Sequence, residues 1–127
     1  MQKTIKVLLI EDEDSIREIY KTELELFGFN IDDFAMASDG LRAFKNNLYD
    51  IVLLDIILLD MNGLDVLKEM RQDAQKKDVP IVLLTSLHQD IIIKQGLKLG
   101  ATAYLQKDLI TPDKLVDKIR DILKIKV

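Results

Sequence analysis

Five short apolar runs punctuate the chain: Ile5–Ile10, Asn30–Ala37, Ile51–Leu54, Ile81–Leu84 and Ala103–Leu105. The first, third and fourth lack polar alternation. A strand without alternation is one covered on both faces, as in a parallel sheet. Between the runs, apolar residues step by three or four. Ile16, Ile19, Tyr20, Leu24 and Phe27 predict a helix over Ser15–Phe27, and Leu115, Ile119, Ile122 and Leu123 predict one over Lys114–Lys124. Leu64, Leu67 and Met70 mark a helix begun near Gly63, and Leu41 and Phe44 a short one after Asp39–Gly40. Ile91 to Leu99 carries another, expected to end at Gly100 in a left-handed cap. Asp14 or Ser15 is the expected cap of the first helix. A βα unit thus repeats five times with no residues left over. The implied architecture is one α/β domain over residues 1–127, a five-stranded parallel sheet with right-handed crossovers and helices on both faces.

Composition narrows what such a domain can do. The 127 residues are enough to bury a core without a metal or disulfide staple. Lys and Arg number 18 against 22 Asp and Glu, a net charge of −4, and no basic patch offers the counterion release that nucleic-acid binding needs. With no cysteine, zinc-thiolate sites and thiol catalysis are excluded, and the single histidine, His88, cannot build a histidine-based metal site. His88 is expected to be a solvated loop residue. The run Val7–Ile10 is too short for a signal sequence and acidic residues follow it at once, while no stretch approaches the length of a membrane span. A cytoplasmic protein is the default expectation.

In an open parallel sheet, ligands bind beyond the C-terminal ends of the strands. That rule selects Glu11 and Asp12 after the first run, Asp55 after the third, Thr85 and Ser86 after the fourth, and Lys107 after the fifth. Three carboxylates in one cleft raise each other's pKa unless a cation neutralises them. An oxygen-only set with water positions open suits Mg²⁺. Asp55, held at the end of a rigid strand, can act as a nucleophile towards phosphorus and form an aspartyl phosphate. A divalent ion, Lys107 and the Thr85 hydroxyl could each take a phosphoryl oxygen. Singly, each residue reads as an ordinary loop residue; their joint placement at neighbouring strand ends carries the reading.

Five motifs then fall in order: Leu9–Ile10–Glu11–Asp12, Asp50–Ile51–Val52–Leu53–Leu54–Asp55, Met61–Asn62–Gly63, Pro80–Ile81–Val82–Leu83–Leu84–Thr85–Ser86, and Gly100–Ala101–Thr102–Ala103–Tyr104–Leu105–Gln106–Lys107. Over essentially its whole length the chain resembles the receiver domain of two-component response regulators, in the manner of the single-domain chemotaxis regulators. The resemblance implies a flavodoxin-like three-layer fold with strand order 2-1-3-4-5. It implies Asp55 as phosphoacceptor, with Thr85 and Lys107 contacting the phosphoryl group. Glu11, Asp12, Asp55 and the backbone carbonyl of Ile57 would hold Mg²⁺. Thr85 and Tyr104 match a switch pair, in which Thr85 moves towards the phosphoryl group and the ring fills the vacated space. For Tyr104, a half-buried strand tyrosine without a switch is an equal alternative.

The sequence departs from the family pattern in three places. Asp108 replaces the proline that usually follows the lysine through a cis peptide. A cis bond before a non-proline costs about 2.5–4 kcal/mol, so either the bond is trans or packing overrides that cost. Asp108 also adds negative charge beside Lys107, which would weaken its hold on a phosphoryl group. Leu59 replaces the usual proline four residues after the phosphoacceptor, leaving Ile56–Leu59 apolar beside a polar site. That run either packs against the third helix or offers a patch to a partner kinase or phosphotransferase. Ile57 is bulky where it can screen an acyl phosphate from water, so slow self-hydrolysis is expected. In Ile91–Ile93 a helix can bury two residues of three, so one should point outward.

The expected partners are a sensor histidine kinase or histidine phosphotransferase and a downstream protein. The downstream protein would dock on the face formed by the fourth helix, fifth strand and fifth helix, with a homodimer on phosphorylation as a further option. No direct nucleic-acid or membrane partner is expected, and no enzymatic activity beyond the chain's own phosphorylation and dephosphorylation. A stand-alone receiver and one excised from a longer protein both fit the length. Two rivals share the fold logic. A haloacid-dehalogenase-type phosphatase needs a second Asp where Ile57 stands, and a flavodoxin-like cofactor binder needs a phosphate cradle where Glu11–Asp14 would repel one. A receiver that binds a partner without phosphorylation is the alternative within the family.

Overall fold

The structure is a computed structural model in which residues 4–86 and 90–124 are described. His88 lies outside the described residues. Five strands and five helices alternate: β1 Lys6–Ile10, α1 Asp14–Leu26, β2 Asn30–Phe34, α2 Ala37–Asn46, β3 Ile51–Asp55, α3 Gly63–Arg71, β4 Ile81–Thr85, α4 Asp90–Lys98, β5 Ala103–Gln106 and α5 Pro112–Leu123. The strands form one parallel sheet in the order β2-β1-β3-β4-β5. This is the flavodoxin-like order that the resemblance implied.

Burial explains the unalternated runs. Every residue of β3 and β4 is buried, as are Val7–Ile10 of β1. Successive side chains serve opposite layers. Leu8, Ile10, Val52, Leu54, Ile81 and Leu83 pack with Phe44, Leu67 and Met70 of α2 and α3. Val7, Leu9, Ile51, Leu53, Val82 and Leu84 pack with Tyr20, Leu24, Leu115 and Ile119 of α1 and α5. The runs Val7–Ile10, Ile51–Leu54 and Ile81–Leu84 are apolar throughout because each feeds two cores.

Several boundaries differ from the periodicity. β2 stops at Phe34, and α2 begins at Ala37, drawing Asp39–Gly40 into its first turns. Gly40 fits there because the helix presses on Ile10; a Cβ on Gly40 would stand 2.4 Å from Ile10 Cδ1. The first helix takes Glu13 as its N-cap, without a side-chain cap bond, in place of Asp14 or Ser15. Asp14 instead pairs with Arg17 one turn on, at 2.7 Å. α5 begins at Pro112, whose fixed φ and missing N–H suit a first turn. The left-handed residue expected after α4 is present: Gly100 has φ +107°. Of the three isoleucines at the start of α4, Ile91 is the exposed one, Ile92 is half-buried and Ile93 is buried.

Candidate functional site

The strand ends bring together the acidic and basic residues that the sequence singled out. Lys107, just past β5, donates from Nζ to Glu11 Oε1 at 2.8 Å and to Asp55 Oδ2 at 3.0 Å. These side chains are almost completely buried, Glu11 at 0%, Asp55 at 5% and Lys107 at 6% exposure. Residues 96 and 52 positions apart in the chain thus share one ammonium. Backbone bonds hold the three strand ends in place. The Glu11 amide donates to Phe34 O at 3.0 Å, the Lys107 amide to Thr85 O at 2.9 Å, and the Ile56 amide to Leu84 O at 3.2 Å.

Each carboxylate is also bonded locally. Glu11 Oε2 accepts from the Glu13 amide at 3.1 Å, and Asp55 Oδ1 accepts from the Ile57 amide at 3.2 Å. Burial pushes the Glu11 carboxyl up to about 7, against the opposing pull of Lys107. Burial raises Asp55 too. For Lys107, burial acts downward, but its bonds to Glu11 and Asp55 outweigh that and raise it. The ammonium therefore stays charged while the two carboxyls compete with protons.

Asp12, half-buried, completes the acidic group. One oxygen from each of Glu11, Asp12 and Asp55 lies within 4.8 Å of the others. A Mg²⁺ ion with oxygens at about 2.1 Å has a coordination shell about 4 Å across, so this donor set fits one ion after small side-chain rotations. The set is all oxygen and carries more negative charge than Lys107 can balance, which suits a hard divalent cation. Ile57 contributes its amide to Asp55, and its side chain is 55% exposed at the mouth of the cleft.

Thr85 is buried at the end of β4. In the sheet register Tyr104 lies opposite Leu83 and Gln106 opposite Thr85, so Tyr104 and Thr85 occupy the same face two residues apart. Tyr104 is 39% exposed. No cis peptide occurs among the described residues, so the Lys107–Asp108 bond is trans. The apolar run after Asp55 divides. Ile56 and Leu58 join the core, while Ile57 and Leu59 face outward, Leu59 at 77% exposure.

Two residues support the site through contacts that the sequence did not show. Arg17 donates to the Glu11 carbonyl at 2.9 Å while pairing with Asp14 and Asp33, which fixes the β1–α1 turn carrying Glu11 and Asp12. Its one local signal was the spacing of three from Asp14. Gly63 lies against β3 so closely that a Cβ there would stand 2.3 Å from Asp55 O. Its place in the motif Met61–Asn62–Gly63 was visible; the contact that demands glycine was not.

The model of the response regulator receiver domain matches residues 7–120. The chain belongs to the response regulator receiver family. Receiver domains bind Mg²⁺ at an acidic pocket, and this one places Glu11, Asp12 and Asp55 together. The receiver is 36% identical over 119 residues to a probable transcriptional regulator, ycf27, of Guillardia theta, covering 94% of this chain and 45% of that protein. The chain spans about half the length of the curated relatives it matches. A CheY-like receiver structure from Methanospirillum hungatei JF-1 superposes with TM-score 0.89 at 26% identity, covering 96% of this chain and 95% of that one. The chemotaxis response regulator CheY4 of Vibrio cholerae gives TM-score 0.88 at 26% identity, covering 94% and 99%. This receiver therefore serves a two-component response regulator. Among its described residues no helix is long and apolar enough to cross a membrane.

Proposed function

We propose that Asp55 accepts a phosphoryl group from the phosphohistidine of a sensor kinase or histidine phosphotransferase, and that the modified state changes the receiver's affinity for another protein. The observation that carries this reading is the buried Lys107 ammonium shared between Glu11 and Asp55 at the ends of separate strands. An Asp55 oxygen forms the new P–O bond as the P–N bond of the donor breaks, and the imidazole nitrogen keeps the electron pair. Mg²⁺, held by Glu11, Asp12, Asp55 and the Ile57 carbonyl, would neutralise phosphoryl oxygens when bound.

The chain's own residues supply the remainder. Lys107 holds Asp55 in place before transfer and can turn one N–H to a phosphoryl oxygen afterwards. The Thr85 hydroxyl donates to another. Such chemistry asks for positioning more than for acid–base groups, and rigid strand ends provide it. The protein acts on no other substrate in this reading; it catalyses its own phosphorylation and dephosphorylation. Ile57 and Leu59 would meet the donor protein, being the exposed apolar residues beside Asp55. Output passes through the α4–β5–α5 face, to a protein target or a second copy. The ycf27 relative is named as a transcriptional regulator, so transcription is one destination of the signal, reached without nucleic-acid contact by this domain.

The test is intact mass after incubation with a small-molecule phosphodonor and Mg²⁺. One phosphoryl increment is expected on the wild-type protein and none on Asp55→Asn. An unmodified wild type across several donors would favour a receiver that works by binding alone.

A further inference from the structure

The loop from β3 to α3 is pinned at both ends. The Gly63 amide donates to Ile56 O at 2.7 Å, Ile57 and Asn62 form an antiparallel bridge, and the Asn62 side chain caps α3 through the Leu64 amide at 2.8 Å. Its apex is tied to a different part of the molecule. The Asp60 carboxylate accepts from the Ala37 amide at 2.8 Å and from the Ser38 amide at 3.0 Å, both in the first turn of α2. The two partners lie 23 and 22 residues away in the chain.

α2 has no cap of its own: its N-cap is Met36, which makes no side-chain cap bond. A carboxylate at the start of a helix satisfies orphan amides and meets the positive end of the helix dipole. An Asp at position 36 could do both. Placed at position 60, the same two bonds also fix the loop that begins at Ile57, three residues away. The loop cannot shift without consequence for Asp55, since Gly63 sits directly against the Asp55 and Ile56 backbone.

We propose that Asp60 is a positioning residue for the metal-binding edge: by bonding the first turn of α2 it holds the β3–α3 loop, and with it the Ile57 carbonyl, where an ion can be bound. The inference rests on the proposed function, which puts Mg²⁺ on that carbonyl. Residues that fix the orientation of a metal ligand commonly govern metal affinity without touching the metal.

Mg²⁺ titration by calorimetry, paired with urea unfolding, tests this on the full chain. Asp60→Ala should bind Mg²⁺ about tenfold more weakly than wild type. Adding Met36→Asp should return stability by capping α2 locally, yet leave Mg²⁺ affinity low. At the opposite end of α2, Lys76 Nζ donates to the carbonyls of Phe44, Lys45 and Asn47, so Lys76→Met should lower stability with Mg²⁺ affinity unchanged. If Asp60→Ala does not fold, Asp60→Asn keeps one acceptor oxygen and should give an intermediate loss. Wild-type Mg²⁺ affinity in the Asp60 variant would overturn the proposal. So would recovery of affinity together with stability in the double variant, or an equal loss in Lys76→Met; each makes Asp60 a helix cap and nothing more. Absence of Mg²⁺ binding by the wild type is a separate result, which removes the site reading and this inference with it.

Discussion

Glu11 sits at 0% exposure with an ammonium 2.8 Å away, and burial still raises its carboxyl to about 7 from an ordinary 4.5. The sign of the consequence follows from proton counting. Between those values the folded state holds a proton that the unfolded chain has released. The stabilisation is complete below the unfolded value and is lost as pH rises through the folded one. In buffer stripped of divalent ions, thermal stability should therefore fall from about pH 5 to about pH 8, with an upper limit on the Glu11 contribution of about 3 kcal/mol. Glu11→Gln, which cannot ionise but can still accept from Lys107, should flatten that slope. Mg²⁺ competes with the same proton, so its stabilising effect should grow across this range. Thermal melts of both proteins with and without Mg²⁺ make the comparison, and parallel slopes for wild type and Glu11→Gln would refute the assignment. At this scale the clustering was legible: residue type and strand-end position together pointed to Glu11, Asp12, Asp55 and Lys107, which the structure brings together. What stayed hidden were groups acting through backbone atoms. Arg17 bonds the Glu11 carbonyl, and no side-chain pattern marks a residue that serves a main-chain acceptor.

At the scale of elements, periodicity located every strand and helix, because apolar residues repeat wherever an element faces a core. It misplaced the start of α2, whose first amides are satisfied by Asp60 from another loop. A cap supplied from so far along the chain leaves no local mark. The same holds at the far end of α2, where Lys76 Nζ donates to the carbonyls of Phe44, Lys45 and Asn47. Arg71, at the end of α3, is another such device. Its guanidinium donates to Gly100 O at 2.8 Å, Lys77 O at 2.8 Å and Val79 O at 2.6 Å, joining the ends of α3 and α4 to the start of β4. Gly100 is held against it: a Cβ there would stand 3.1 Å from Arg71 Nε. Arg71→Met would leave partly buried carbonyls without donors and should cost about 2 kcal/mol in urea unfolding. Arg71→Lys should recover less than half, since one ammonium cannot reproduce a planar fork. Full recovery by lysine would mean that charge, rather than the geometry of several bonds, secures this corner.

The fold is one sheet between two cores, and the acidic cluster lies where neighbouring strands of that sheet end. Such a body transmits a local change through packing that has two discrete arrangements, since close-packed interiors do not deform continuously. Tyr104 offers the place to look. The residue is 39% exposed and shares a face of the sheet with buried Thr85, two residues along. If Thr85 is drawn towards a phosphoryl group on Asp55, the space it leaves lies on the side where Tyr104 can enter. Burying the exposed ring would reshape a surface available to a target. The chain has no tryptophan and three tyrosines, and Tyr20 and Tyr49 are already buried. Acrylamide quenching of tyrosine fluorescence therefore reports chiefly on Tyr104. Phosphorylation should lower the quenching constant in the wild type. Thr85→Ala should abolish the change while still accepting the phosphoryl group, and Tyr104→Phe should remove the quenchable signal in both states. Equal quenching before and after phosphorylation of the wild type would leave Tyr104 an ordinary strand residue. The signal would then leave through another part of the fold.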